Sequence, residues 1–108
     1  MLKDGRFKKV IIICGRVDMR KGIVGLAALI ALRYGLNPTD KGTLFLCCGN
    51  KKNVIKGLEW EGDGFACVTK KLANGTYCWP RTPEEAREIT REQFDRLMSG
   101  FTIESSIK

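Results

Sequence analysis

The sequence predicts a small α+β domain: a mostly antiparallel β-meander with one helix packed on the sheet and a short C-terminal helix. Three observations carry this reading. A Val/Ile-rich run at Lys9 to Cys14 leads into a stretch of apolar residues at helical spacing. From Gly42 the pattern changes to period two with frequent turns. Near the end, Thr90-Arg91-Glu92-Gln93 has the form of a helical capping box. At 108 residues the chain makes a single domain, 1–108. Its core is expected over about residues 9–101, with 1–8 and 102–108 flexible.

Lys9 to Cys14 reads as a buried strand and Gly15-Arg16-Val17 as a turn. Asp18 then stands where a helix N-cap belongs, able to accept from the free amides of a first turn. Ile23, Leu26, Ala27, Ile30 and Tyr34 recur at helical spacing, and Val24, Leu29 and Leu32 are read as widening that apolar face. Gly35 suits the C-terminal cap, and Asn37-Pro38 blocks continuation. Thr43 to Cys48 and Val54 to Trp60 read as strands joined by the basic turn Gly49-Asn50-Lys51-Lys52-Asn53. Glu61-Gly62-Asp63-Gly64 is a turn, Phe65 to Leu72 a third strand of the meander, and Asn74-Gly75 a tight turn into a fourth at Thr76 to Trp79. Pro80 ends the meander. The charged stretch Glu84 to Glu88 leads to a helix carrying Phe94, Leu97 and Met98 and ending at Gly100.

Lys plus Arg is 19 against 12 for Asp plus Glu, a formal charge of +7, which favours an anionic partner. The chain contains no histidine, so the commonest general base and metal ligand are missing. The apolar runs are too short for a spanning helix, and a cytoplasmic protein without membrane contact is expected. The five cysteines (Cys14, Cys47, Cys48, Cys67, Cys78) form no C-x-x-C pair and read as reduced, metal-free thiols used as small buried hydrophobes. Glu59, Glu61 and Asp63 lie close in sequence but lack calcium-loop spacing. No phosphate-binding glycine loop precedes a helix. No catalytic residue, metal or cofactor is assigned on these grounds.

The basic residues cluster at turns and element ends. Arg16, Arg20 and Lys21 surround the start of the first helix; Lys51, Lys52 and Lys56 sit on the first hairpin; Lys70, Lys71 and Arg81 follow later. Arg20 and Lys21 fall in the first helical turn, where cations oppose the helix dipole unless an anion lies nearby. The alternative is a salt bridge to Asp18 or to another acid. Trp60, Phe65, Tyr77 and Trp79 interleave with these charges. They fit either base stacking or core packing, and for a domain this size core packing is the first expectation. Lys56 shares a strand face with Val54, Leu58 and Trp60, so it must snorkel or meet a partner.

In order along the chain, Val17-Asp18-Met19-Arg20-Lys21-Gly22, Gly25 to Leu29, Gly42 to Leu46, Ile55 to Phe65, Lys70-Lys71-Leu72, Gly75, Tyr77, Trp79-Pro80 and Thr90 to Gly100 form a specific combination. It resembles the TnpB-type accessory proteins of insertion sequence family 66, over about residues 10–101. These differ from the RNA-guided nucleases that share the TnpB name. The resemblance implies a protein encoded beside a separate transposase and supporting transposition, with no assigned reaction. It singles out Asp18, Arg20, Lys21, Lys56, Trp60, Lys70, Lys71, Trp79 and Pro80. Two departures stand out: Cys47 to Val54 carries no arginine where the family has an Arg-rich segment, and Lys70-Lys71-Leu72 replaces Lys-Arg-Leu. Losing the guanidinium fork weakens base reading and leaves phosphate contact possible.

The resulting expectation is a non-enzymatic accessory factor in transposition, with DNA at the element ends and the transposase of the same element as partners. Its binding residues would be Arg16, Arg20, Lys21, Lys51, Lys52, Lys56, Lys70, Lys71, Arg81, Trp60 and Trp79, with Asp18 as a structural cap. The alternatives are a module that binds the transposase without touching DNA and, less favoured, a metal-dependent nuclease.

Overall fold

A computed structural model describes residues 6–103 of the chain. The elements are β1 (Lys9–Arg16), α1 (Ile23–Ala28, continuing as a π-helical stretch over Leu29–Arg33), β2 (Thr43–Cys48), β3 (Val54–Trp60), β4 (Phe65–Lys71), β5 (Ala86–Ile89) and α2 (Arg91–Met98). They form an α+β domain around a five-stranded sheet in the order β4-β3-β2-β1-β5. Only β1 and β2 are parallel, and α1 is the crossover that a parallel pair requires. Every other neighbouring pair is antiparallel.

Both faces of the sheet are covered, because side chains alternate along each strand. Ile13, Phe45, Cys47 and Leu58 meet Leu26 and Ile30 of α1 on one face. Val10, Ile12, Cys14, Leu44, Leu46 and Ile55 meet Phe94 and Leu97 of α2 on the other, together with Tyr77 and Trp79. Cys47 and Cys48 therefore point to opposite faces. α2 starts as its capping box predicts: the Gln93 amide donates to Thr90 Oγ1 at 3.1 Å, and the Thr90 amide to Gln93 Oε1 at 2.8 Å.

Several expectations are corrected. The first helix begins at Ile23 with Gly22 as its N-cap, so Asp18 is not the cap. Its carboxylate instead accepts from the Arg20 amide two residues on, closing a turn that postpones the helix. Arg20 and Lys21 accordingly precede the first helical turn. Val24 and Leu32 are 83% and 86% exposed. Both lie on the outer face of the α1 segment, away from buried Leu26 and Ile30. Gly35 does close the helix, with φ +66°.

Thr76 to Trp79 is not a strand. Tyr77 and Trp79 alternate inward with exposed Thr76 and Cys78, yet the segment runs as an extended cover over the α2 face. Its Tyr77 amide donates to the Lys52 carbonyl at 2.7 Å, outside any strand ladder. The fifth strand lies instead in the charged stretch, where Ala86 to Ile89 pairs with β1. Edge strands accommodate such charge because one side stays in water. β1 extends to Arg16, which pairs with Cys48 after a slip in register. Phe7 and Ile103, expected in flexible ends, are buried in the α2-side core; the expectations for 1–5 and 104–108 lie outside the described residues.

Candidate nucleic-acid interface

Because β1 and β2 are parallel, their carboxyl ends open at the same edge of the sheet, a usual place for ligand sites in such folds. The loop before α1 and the β2–β3 hairpin rise from that edge. Between them lies a cavity of about 740 Å³ lined by Arg16 to Arg20, Gly49 to Lys51, Asn53 and Val54. The register brings distant cations to the same edge. Arg16 pairs with Cys48, Cys48 with Ile55, and Ile55 with Lys70, one row across the sheet, with Lys71 beside Val54. Thus Arg16, Arg20, Lys21, Lys51, Lys52, Lys56, Lys70, Lys71 and Arg81 gather at one end of the domain.

Their local chemistry differs. Arg20 forms a forked pair with Asp18, Nε to Oδ1 at 3.0 Å and Nη2 to Oδ2 at 2.8 Å. The guanidinium hydrogen bonds hold the Asp18 carboxyl well below the usual carboxylate range. The salt-bridge alternative for Arg20 is the one realised. Lys56 meets its partner across the fold, donating from Nζ to the Lys21 carbonyl at 2.7 Å. Arg81 is spent on backbone: its guanidinium donates to the carbonyls of Gly15 at 3.4 Å, Cys48 at 3.5 Å and Gly49. Arg16, Lys21, Lys51, Lys52, Lys70 and Lys71 form no ion pair among the described residues.

The tryptophans do not join this cluster. Trp79 is 3% exposed, and its indole N–H donates to the Ile13 carbonyl at 2.9 Å. A ring enclosed in this way presents no face for a base to stack on. Trp60 lies at the far end of β3, about 20 Å away at strand rise, edge-on to Phe65 with ring centroids 4.9 Å apart. Pro80 is half-buried beside Arg81. Sequence reading missed Met19, Asn50 and Asn53 as cavity walls; only their position between the basic residues of the two loops hinted at them. Among the described residues, no group of three or more Cys, Asp or Glu converges as a metal site, and no helix is long and apolar enough to cross a membrane.

A family model described as "IS66 Orf2 like protein" matches residues 8–108. The chain belongs to that family. It is therefore an insertion-sequence-associated protein, as the resemblance in its motifs implied. Among curated proteins of Sinorhizobium fredii (strain NBRC 101917 / NGR234), "Uncharacterized protein y4hO" is 35% identical over 101 residues, covering 94% of this chain and 87% of the relative. "Uncharacterized protein y4jC" is 26% identical over 101 residues, with 94% and 86% covered. No solved structure matches the chain.

In this Orf2 family member the cysteines divide by environment. Cys14, Cys47 and Cys48 are buried, but Cys67 and Cys78 are exposed and correct the expectation of five buried thiols. Cys67 lies on the edge strand β4, and Cys78 on the outer side of the segment whose Tyr77 and Trp79 turn inward. Burial pushes the Cys14 and Cys48 thiols up to about 11 and Cys47 up to about 12, so none of the three supplies a thiolate near neutral pH. Titration of the native protein with a thiol reagent is expected to label Cys67 and Cys78 quickly. Cys14, Cys47 and Cys48 should follow only after denaturant is added. Rapid labelling of any of these three, mapped by peptide mass, would contradict the packing.

Proposed function

We propose that this protein is a non-enzymatic accessory factor of DNA transposition. It acts in the cytoplasm by binding DNA at the element ends through the basic end of its sheet, in company with the transposase of the same element. One observation carries the reading: cations scattered from Arg16 to Arg81 gather at one end of the sheet, three of them (Arg16, Arg20 and Lys51) lining one cavity, and most have no anionic partner among the described residues. Such a cluster is costly in mutual repulsion and suits a polyanion. The non-enzymatic reading is supported by the placement of Glu61 and Asp63, which are exposed on the β3–β4 turn, at the other end of β3 from the cavity, with no third acid converging on them among the described residues.

The test is a mobility shift with element-end DNA, with and without the transposase, across a salt series. Replacing Arg16, Lys51, Lys52 and Lys71 by Ala should weaken binding and flatten the log-log salt slope by about 3.6 if each contacts duplex phosphate. Binding unchanged at every salt concentration would remove this surface. Magnesium- or manganese-dependent cleavage lost on replacing Asp63 or Glu61 would overturn the non-enzymatic reading.

A second reading, a module that binds the transposase alone, is favoured by Val24 and Leu32. They lie one above the other with exposed Ala28 on the outer face of the α1 segment. Loss of transposase capture on Val24→Asp with Leu32→Asp, in a protein that shows no DNA shift, would favour it.

A further inference from the structure

We propose that the cavity between residues 16–20 and the 49–54 hairpin takes a single unpaired nucleotide of a DNA strand. The base would lie on an apolar floor and the flanking phosphates on a cationic rim. The inference rests on the DNA-binding reading and specifies the form of DNA bound. A duplex is read by a helix or ribbon projecting into a major groove about 12 Å wide. Here the cations surround a depression, and its volume of about 740 Å³ is that of a small-ligand pocket.

The floor is apolar. Val17 is buried, and Met19 and Val54 are half-buried. Gly49 allows this floor to form: a Cβ at that position would meet Met19 Cγ at 2.6 Å, so any larger residue would push the Met19 side chain from the hairpin. An unstacked base gains most from such a surface, because its faces are apolar and its edges polar. The side-chain amides of Asn50 and Asn53 in the wall offer donors and acceptors for those edges. On the rim, Arg16 and Lys51 are exposed, and Asp18 holds the Arg20 guanidinium through Nε and Nη2, leaving Nη1 for a phosphate.

Fluorescence anisotropy with a labelled single strand of element-end sequence and with its duplex tests this directly. The single strand should bind about tenfold more tightly than the duplex. Met19→Ala should weaken the single strand about tenfold, the loss expected for removing a few buried methylene-sized groups, and leave the duplex unchanged. Thermal melting checks that this variant folds. Arg16→Ala with Lys51→Ala alters two exposed, unpaired side chains and should lower the single-strand salt slope by about 1.4. Equal affinity for single strand and duplex, or an unaltered single-strand slope in the double variant, would overturn the pocket while leaving DNA binding in place. Binding of neither DNA would overturn both.

Discussion

Trp79→Ala is expected to destabilise the protein by about 4 kcal/mol, among the largest effects available to one substitution here. The indole is fully enclosed between Tyr77, at 6.4 Å between ring centroids, and the residues of the α2-side core. Removing it leaves a cavity in a cover segment that has no strand ladder to hold it in place. It also strips the Ile13 carbonyl of its donor at 2.9 Å. For a domain of this size the melting temperature should fall on the order of 20 °C. Trp79→Phe keeps most of the volume but not the N–H. It should recover part of the loss, the remaining deficit reflecting the unpaired carbonyl and the smaller ring. A melting temperature for Trp79→Ala within a few degrees of wild type would show that the ring is free for a ligand after all.

Arg81→Ala should lower stability by about 2 kcal/mol, the range for hydrogen bonds from a charged group. Its guanidinium joins the carboxyl ends of β1 and β2 by reaching Gly15, Cys48 and Gly49 carbonyls at once. Lysine at this position offers a compact ammonium in place of a planar fork, so Arg81→Lys should rescue only part of the loss. Because Gly49 lines the cavity and Gly15 and Cys48 precede or pair with its wall residues, DNA binding should weaken along with stability. A variant that melts like wild type but binds DNA poorly would reassign Arg81 from backbone clip to phosphate contact. Chemical denaturation, with the slope compared between variants, separates these outcomes.

Local patterns were legible where they answered a local question. Thr43 to Cys48 and Val54 to Trp60 were readable as strands because β-branched and apolar residues fill them between turn residues. Thr90 and Gln93 announced α2 because a capping box is satisfied within four residues. The odd placement of Lys56 among apolar neighbours called for a partner, and the Lys21 carbonyl supplies it. The family, too, was legible, since its motifs follow one another in the chain.

What the sequence withheld concerns partners far apart in the chain. The alternation of Tyr77 and Trp79 reports that one side of their segment is buried, but an extended cover and a paired strand alternate alike. Two charges in four residues hid β5, because an edge strand needs only one buried side chain, Ile89, and a free rim in water. Asp18 had two suitors, the amides of a coming helix and the Arg20 side chain; the turn to Arg20 forms, and the helix waits until Gly22. Charge and residue periodicity determined that this is a basic α+β fold. Only the sheet order, with β1 parallel to β2 and β4 returning beside β3, decided that Arg16 and Lys70 share a row. Strand pairing is a long-range choice driven by burial over the whole core, and a side chain's own neighbours in sequence carry no record of which strand will lie beside it.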